Sequence, residues 1–285
     1  MLYIPMLSVM LEKEQLKMSC FKIMSFLTLV DMLALVVNSI ITGWLALQGA
    51  VYCTHPVLIY SAGMAGLGLW CCSCVVAMSL VANRLLDLVF PHLAAVLFDG
   101  RRTLLVLAVP ILYGAFFVLF TTPIAFTSKY LTWFFDPMIF EGRAADYANF
   151  PHFFNNILVV AVTGCLYAFF CCALGAKFKN VDAGSKSRKV STQIFVQSAM
   201  ICAVNQMASL IYVSMNFIEV PFWLIVLGHV LWQLGHGSPA IIYFTFNKTI
   251  RNGLLARIGL KKNSRVTSST GGAISGKNTS TVDQS

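Results

Sequence analysis

Charged side chains are scarce in this chain of 285 residues: Asp, Glu, Lys and Arg together make up 11%, whereas 58% of the residues are hydrophobic. The mean hydropathy is +0.77. Because a soluble globular domain carries roughly 25% charged residues, this composition excludes an ordinary soluble domain. The chain is predicted to be an integral membrane protein, in which helices satisfy their own backbone hydrogen bonds inside the lipid bilayer.

Motifs of catalytic and cofactor sites are missing as well. The sequence contains no HExxH zinc motif, no G-x-S-x-G nucleophile motif and no P-loop. The cysteines and histidines lack the spacing of a metal site, and no basic-aromatic motif of a nucleic-acid binder is present. We therefore predict that the protein is not an enzyme, that it holds no metal or cofactor, and that nucleic acid is not a partner.

Long stretches without charge predict the membrane spans, because a helix needs about 20 apolar residues to cross the hydrocarbon core. The opening MLYIPMLSVML is too short to span and is interpreted as the remainder of a first helix. The predicted helices are 1–11 (partial), 18–47, 57–84, 103–125, 151–176, 191–217 and 222–247. The result is an all-α polytopic membrane helix bundle of the seven-transmembrane receptor type, with six complete spans and a partial first helix.

The positions of the basic residues predict the orientation, because Lys and Arg in short loops are retained in the cytoplasm. All of them except Lys129 and Arg143 fall in segments on one side of the predicted bundle. This places the carboxyl end inside. The receptor-like domain is predicted to cover 1–258, closing with an interfacial helix at 248–258 whose Ile250 and Leu254 face lipid. The Ser-, Thr- and Gly-rich segment 259–285 is predicted to be a disordered cytoplasmic tail.

Polar residues inside the predicted spans mark the candidate sites, because each is costly in lipid and tends to face the bundle interior. In helix 18–47, Asp31 and Asn38 share one face. They are interpreted either as a packing cluster or as a polar switch at the bundle centre. Helices six and seven each carry a polar stripe, and we take these stripes as the candidate ligand pocket: Asn205, Ser209, Tyr212, His229, Trp232, Gln233 and His236.

Several strings, taken in order, point to a family. They are CFKIM at 20–24, TGWLALQGAVYC at 42–53, NRLLDL at 83–88 and HGSPAIIYFTFNKTIR at 236–251. With Asp31 between them, the chain resembles the nematode serpentine chemoreceptors of class T, which are G-protein-coupled receptors. The resemblance runs to about residue 258.

The resemblance implies roles for residues near the inner face. Asn83 and Arg84 stand where related receptors carry an Asp-Arg-Tyr type motif, which implies that they contact a heterotrimeric G protein. Ser238-Pro239 with Tyr243 is similar to the Asn-Pro-x-x-Tyr motif, although the tyrosine comes one residue late. These residues, together with Asp31 and Asn38, would form a polar switch in the bundle core.

The implied function is a chemosensory receptor in the plasma membrane of sensory cells, binding an unidentified small molecule from outside. The predicted helix 222–247 has no lysine for a retinal Schiff base, and helix 57–84 has no carboxylate to anchor an amine. Two alternatives stay open. One is a small transporter or channel-like protein with Asp31 as its ion site, and the other is a truncated, non-functional receptor copy.

Overall fold

The computed structural model describes residues 2–179, 182, 185–218 and 220–259. Helices dominate these residues, which confirms the predicted all-α polytopic bundle. Apart from its first residue, the predicted tail 259–285 lies outside the described residues. The helices are α1 (Tyr3–Met10), α2 (Ser19–Leu47), α3 (Pro56–Val89), α4 (Pro91–Phe98), α5 (Arg102–Phe120), α6 (Phe150–Lys177), α7 (Lys186–Ser214), α8 (Phe222–Phe246) and α9 (Lys248–Arg257).

Among the described residues, five helices are long and apolar enough to cross a membrane: α2, α3, α5, α6 and α7. Helix α8 corresponds to the last predicted span, 222–247. Its 25 residues are enough to cross the hydrocarbon core, which is roughly 30 Å thick. It carries the polar residues His229, Gln233 and His236. None of these three side chains is exposed, so the polar stripe faces the bundle.

The predicted ends of α3 and α5 were wrong. Helix α3 was expected to stop at 84 but continues to Val89, because the first residue disfavoured in a helix is Phe90, which precedes Pro91. Helix α5 was expected to reach 125 but ends at Phe120, since Thr121 adopts extended backbone at φ −125° and ψ 161°. Arg84 therefore lies within a helix, more than a turn before its end.

Helix α7 also begins and ends earlier than the predicted 191–217. It starts at Lys186 because Ser185 caps it: the Ser185 hydroxyl accepts a hydrogen bond from the Arg188 backbone N–H at 3.2 Å. It ends at Ser214. The cap thus adds one turn to α7 at the end that carries basic residues.

A short β-hairpin lies in the connection between α5 and α6, which carried no predicted strand. Strands β1 (Ala125–Thr127) and β2 (Thr132–Phe134) pair antiparallel, with Phe126 opposite Trp133. Two bonds tie the hairpin to the end of α2: Trp133 Nε1 donates to Thr42 Oγ1 at 2.8 Å, and the Ser128 N–H donates to the Ala50 carbonyl at 2.9 Å. We call this end of the bundle the hairpin end.

Helix α3 forms the centre of the bundle and contacts α2, α5, α6 and α7. It packs closely against α5, where Gly68 faces Gly114. A methyl group added to Gly68 would lie 2.9 Å from the Gly114 carbonyl oxygen, and one added to Gly114 would lie 2.8 Å from the Gly68 carbonyl oxygen. Only residues without a side chain allow two helix backbones to pack this closely.

The short helix α1 packs against α2 and α9, and its Met6 and Met10 are fully buried. Of the residues predicted to face lipid on α9, which also included Leu255 and Ile258, the prediction was wrong for Ile250 and Leu254, whereas Ile258 is exposed. Ile250 and Leu254 are 0% and 6% exposed, because α9 turns this face onto α1, where Gly253 adjoins Val9. Helices α1 and α9 therefore stabilise one another at the end opposite the hairpin.

Helix α2 contains a π-helical segment at Val36–Ile41. A π turn holds an extra residue, and here two of its carbonyls accept bonds from side chains. Thr42 Oγ1 donates to the Val37 carbonyl at 2.9 Å, and Gln233 Nε2 of α8 donates to the Asn38 carbonyl at 2.7 Å. The irregular turn thus joins α2 to α8 in the bundle interior.

Candidate functional site

A cavity of about 290 Å³ opens at the hairpin end, between the hairpin, α3, α6, α7 and α8. Seven of its eighteen lining residues are Phe, Trp or Tyr, and none of the described lining residues is Asp, Glu, Lys or Arg. The lining consists of Gly66, Leu67, Trp70, Ile124, Thr132, Trp133, Phe134, Phe135, Ala144, Ala148, Asn149, His152, Phe153, Tyr212, Met215, Asn216, Ile225 and Trp232. Mostly apolar walls with a few polar groups are typical of small-molecule sites.

Two of the predicted pocket residues, Tyr212 and Trp232, line this cavity. The Tyr212 hydroxyl donates to the Gly228 carbonyl at 3.1 Å, so its oxygen can still accept a bond. Trp232 is 5% exposed, and its indole is packed against Gly66 of α3. The structure thus brings one residue of each polar stripe to one cavity.

The other predicted pocket residues lie outside the lining, and most of them form hydrogen bonds within the bundle. His229 Nε2 accepts from Gln233 Nε2 at 3.2 Å, and Ser209 Oγ lies 3.5 Å from Asn156 Oδ1. The Asn205 carboxamide oxygen has no hydrogen-bond partner among the described residues and sits against Gly235. These side chains are therefore packed between helices.

A polar network centred on Asn156 of α6 borders the cavity. Its Oδ1 atom lies 3.3 Å from Trp70 Nε1 and 3.3 Å from Asn155 Nδ2. The Tyr113 hydroxyl of α5 extends the network by donating to Asn155 Oδ1 at 3.2 Å. Asn155 and Asn156 are each 1% exposed. One pair of asparagines therefore connects α3, α5, α6 and, through Ser209, α7.

Sequence reasoning missed His152, Asn155 and Asn156. The signal was present in FPHFFNNILVV at 150–160, where two adjacent asparagines interrupt an otherwise apolar span. An amide pair inside a membrane helix indicates a buried polar site as clearly as the polar stripes of α7 and α8 do. Those stripes drew attention because their residues recur at helical spacing, whereas adjacent residues point in different directions.

Asp31 lies at the centre of the bundle and binds two other helices. Its Oδ1 accepts from His236 Nδ1 of α8 at 2.8 Å, and both side chains are 1% exposed. The Tyr3 hydroxyl of α1 lies 3.3 Å from Asp31 Oδ2 and 2.5 Å from the His236 carbonyl oxygen. The predicted switch residue Asp31 and the predicted pocket residue His236 thus form one buried pair, covered by α1.

The His236 ring also meets the wall of the cavity. Its centroid lies 6.1 Å from that of Trp70, edge to face, and Trp70 lies 6.0 Å from Tyr212 in the same arrangement. Aromatic contacts of this kind contribute about 0.5–1.5 kcal/mol each. Contacts therefore run without interruption from the cavity through Trp70 to His236 and Asp31.

The remaining predicted switch residues follow on α8. Pro239 lies inside the helix, and Tyr243 is fully buried at 0% exposure. The hydroxyls of Ser238 and Tyr243 have no hydrogen-bond partner among the described residues. Of the predicted switch set, Asn38 binds α8 through its backbone carbonyl rather than its side chain.

Asn83 and Arg84 lie on α3 toward the end opposite the hairpin. Asn83 is fully buried, and its Nδ2 donates to Ser19 Oγ of α2 at 3.1 Å. Arg84 is half-buried, with Nη2 4.0 Å from Met24 Sδ. Lys177 of α6 donates to the Leu88 carbonyl at 2.7 Å. Asn83 therefore serves helix packing, while Arg84 stands where α2 and α3 approach the surface.

The hairpin is expected to depend on Trp133. We predict that Trp133→Phe, which removes the indole N–H from Thr42 but keeps an aromatic ring, loosens the hairpin by about 1 kcal/mol. Hydrogen–deuterium exchange should rise in 125–134 and stay constant in α9. Phe134→Leu is the matched control, because this neighbouring ring has no hydrogen bond to lose. Equal exchange in both variants would contradict the role given to this bond.

Comparisons with known proteins show which family the chain is similar to. The family model described as serpentine type 7TM GPCR chemoreceptor Srt matches residues 1–267. A curated relative, serpentine receptor class T-55 of Caenorhabditis elegans, is 28% identical over 235 residues, which cover 82% of this chain. The match covers 64% of that relative's length.

Proposed function

Because the chain belongs to the class T family of serpentine seven-transmembrane chemoreceptors, we propose that it is a chemosensory receptor that binds a small molecule in the hairpin-end cavity and activates a heterotrimeric G protein. The family is a class of receptors, not of enzymes, and its chains are multi-pass membrane proteins. The proposal adds a ligand site, a signalling face and a place in the plasma membrane of sensory cells.

The observation that carries the proposal is the continuity between the cavity and the bundle core. A ligand in the cavity would touch Trp70, and Trp70 touches His236, which is bonded to Asp31. A ligand shifts a conformational equilibrium only as far as it binds one state better than the other. The Trp70 contact gives a bound molecule a direct way to favour one arrangement of α3 and α8.

The distribution of charge supports placing the hairpin end outside. Lys129 and Arg143 belong to the α5–α6 connection at the hairpin end, whereas the basic residues of α9 and of the α6–α7 connection belong to the opposite end. Basic residues concentrate on the cytoplasmic side of membrane proteins. The opposite end, with Arg84, is therefore proposed as the face that meets the G protein.

The experiment that tests this face is a coupling assay on Arg84→Ala. We expect basal nucleotide exchange on added G protein to fall about tenfold while surface expression stays normal, because a half-buried guanidinium at an interface typically contributes 1 kcal/mol or more. The matched control is Arg143→Ala at the hairpin end, which removes one charge from the other side. If both variants couple like the unaltered chain, Arg84 has no part in signalling.

A further inference from the structure

Three indole rings line the hairpin-end cavity, and two of them have their N–H groups bound. Trp70 Nε1 donates to Asn156 Oδ1 at 3.3 Å, and Trp133 Nε1 donates to Thr42 Oγ1 at 2.8 Å. The third, Trp232 Nε1, is buried and has no hydrogen-bond partner among the described residues. An indole N–H can only donate, and a buried indole usually finds an acceptor. The Trp232 N–H therefore needs an acceptor that the described residues do not supply.

The other donors of the lining whose hydrogens are fixed by covalent structure have partners. Asn149 Nδ2 donates to the Thr122 carbonyl at 2.8 Å, and Asn216 Nδ2 donates to the Tyr212 carbonyl at 2.8 Å. The Tyr212 hydroxyl donates to a backbone carbonyl of α8 at 3.1 Å. Among the indole, carboxamide and phenol groups of the described lining, the donor atom without a partner is Trp232 Nε1.

The N–H edge of the Trp232 indole lies beside Gly66 of α3. A methyl group added to Gly66 would lie 3.4 Å from Trp232 Cζ2 and 3.1 Å from Val37 Cγ1. Cζ2 and Nε1 are joined through one ring carbon, so the N–H leaves the ring on the edge that adjoins Gly66. Glycine has no side chain and valine carries only hydrocarbon, so neither side chain offers an acceptor. Because Gly66 is itself part of the cavity wall, no side chain of that residue separates this edge from the cavity.

The imidazole of His229 does not supply the acceptor either. Its ring packs edge to face on Trp232, with the centroids 5.7 Å apart. Its Nε2 accepts from Gln233 Nε2 at 3.2 Å, and its Nδ1 has no partner among the described residues. A buried donor without an acceptor is costly, so a bound group that accepts from Trp232 removes a cost that the described residues leave in place.

We infer that the cavity takes a small, uncharged molecule with an acceptor oxygen, as in a ketone or an ester, and that this oxygen accepts a hydrogen bond from the Trp232 indole. This inference rests on the proposed receptor function and names the chemical class of its ligand. The aromatic rings of the lining suit a flat molecule. A carboxylate or ammonium group would lose its hydration without meeting an opposite charge in the described lining.

The volume limits the size of the ligand. About 290 Å³ lies at the lower end of the range of small-molecule pockets, which is about 300 to 1,000 Å³, so a molecule with one ring suits it. Acetophenone, α-methylstyrene and benzoate serve as matched probes of this size. In α-methylstyrene a CH₂ group replaces the carbonyl oxygen of acetophenone without changing the flat shape. In benzoate a charged oxygen replaces the methyl group.

The test measures binding of these probes to the purified full chain in lipid nanodiscs by saturation-transfer NMR, with the signal from nanodiscs lacking the protein subtracted. We expect acetophenone to bind about tenfold more tightly than α-methylstyrene, because only its oxygen can pair the buried N–H, and benzoate to show no binding. Trp232→Phe keeps an aromatic ring without an N–H and should bring the first two probes within about twofold of each other.

The matched control is Trp133→Phe, which removes another indole of the same lining. Its N–H is already bound to Thr42, so the variant should weaken both neutral probes equally and keep the preference between them. A second measurement needs no variant. With the five tryptophans isotope-labelled, acetophenone should move one indole N–H signal to lower field, as a new hydrogen bond does, whereas α-methylstyrene should not.

The inference is overturned if the unaltered chain binds α-methylstyrene as tightly as acetophenone, binds benzoate best, or binds none of the three. It is also overturned if Trp232→Phe keeps the preference, or if no indole signal moves to lower field. The ranking and the indole signals decide the matter even where Trp232→Phe does not fold. They are separate from signalling, because no G protein is present. Ordered binding combined with unchanged coupling in Arg84→Ala would preserve the pocket chemistry and contradict the proposed signalling face.

Discussion

Substituting alanine for Gly68 is expected to destabilise the folded protein by about 2–3 kcal/mol and to lower the yield of monodisperse protein. The added methyl group would lie 2.4 Å from Val118 Cγ2 and 2.9 Å from the Gly114 carbonyl oxygen. The valine can rotate, but the carbonyl belongs to the backbone of α5, so the two helices must separate. The measurement is the thermal unfolding midpoint in detergent, followed by size-exclusion chromatography.

The control for this prediction is Gly175→Ala in α6, where nothing lies within 4 Å of the added methyl group. That change should leave stability equal or slightly raised, since alanine favours helix over glycine by about 1 kcal/mol. The double variant Gly68→Ala with Gly114→Ala should cost less than the sum, because both changes open the same contact. Equal midpoints for Gly68→Ala and Gly175→Ala would mean that α3 and α5 do not pack as described.

The second large effect is expected at Asp31. Asp31→Ala should destabilise the protein by about 2–3 kcal/mol, because it leaves the His236 Nδ1–H buried without its acceptor and deprives Tyr3 of one partner. Asp31→Asn should cost less, since its carboxamide oxygen can still accept. Thermal unfolding of both variants, with the exposed Asp99→Ala as control, measures this difference.

Two further results would decide what Asp31 does. A double-mutant cycle with His236→Ala should give a coupling energy of about 1 kcal/mol or more, as expected for side chains in contact. If Asp31→Ala is no less stable than Asp99→Ala, the buried pair does not contribute to folding. Ion flux into proteoliposomes that is lost in Asp31→Asn would favour the transporter alternative over the receptor.

The main helices could be predicted from the sequence because a membrane span needs a run of about 20 apolar residues, and the long uncharged runs of this chain meet that requirement. Their ends were harder. At 84 the charge of Arg84 suggested a helix end, yet a long side chain can reach the surface from inside a helix. The informative residue was Pro91, whose ring restricts the residue before it. The hairpin could not be predicted because its two three-residue strands, AFT and TWF, are too short to show alternation.

The candidate site was predicted in part. Helical spacing correctly put the polar stripes of α7 and α8 inside the bundle, but it does not predict how far from the hairpin end each residue lies. Tyr212 and Trp232 therefore line the cavity, while His236 meets Asp31 instead. The network of Asn155 and Asn156 could not follow from sequence, because it depends on which side chains of α3, α5 and α7 the two amides meet in three dimensions.

The π segment Val36–Ile41 has a consequence for comparing this chain with its relatives. A π turn corresponds to a single residue inserted into an otherwise regular helix, and each residue rotates the chain by about 100°. A relative that lacks the insertion would match this chain on one side of the segment and be out of step on the other. Alignments of α2 should therefore place a one-residue gap near Asn38, so that the residues packed against the hairpin are compared with their true counterparts.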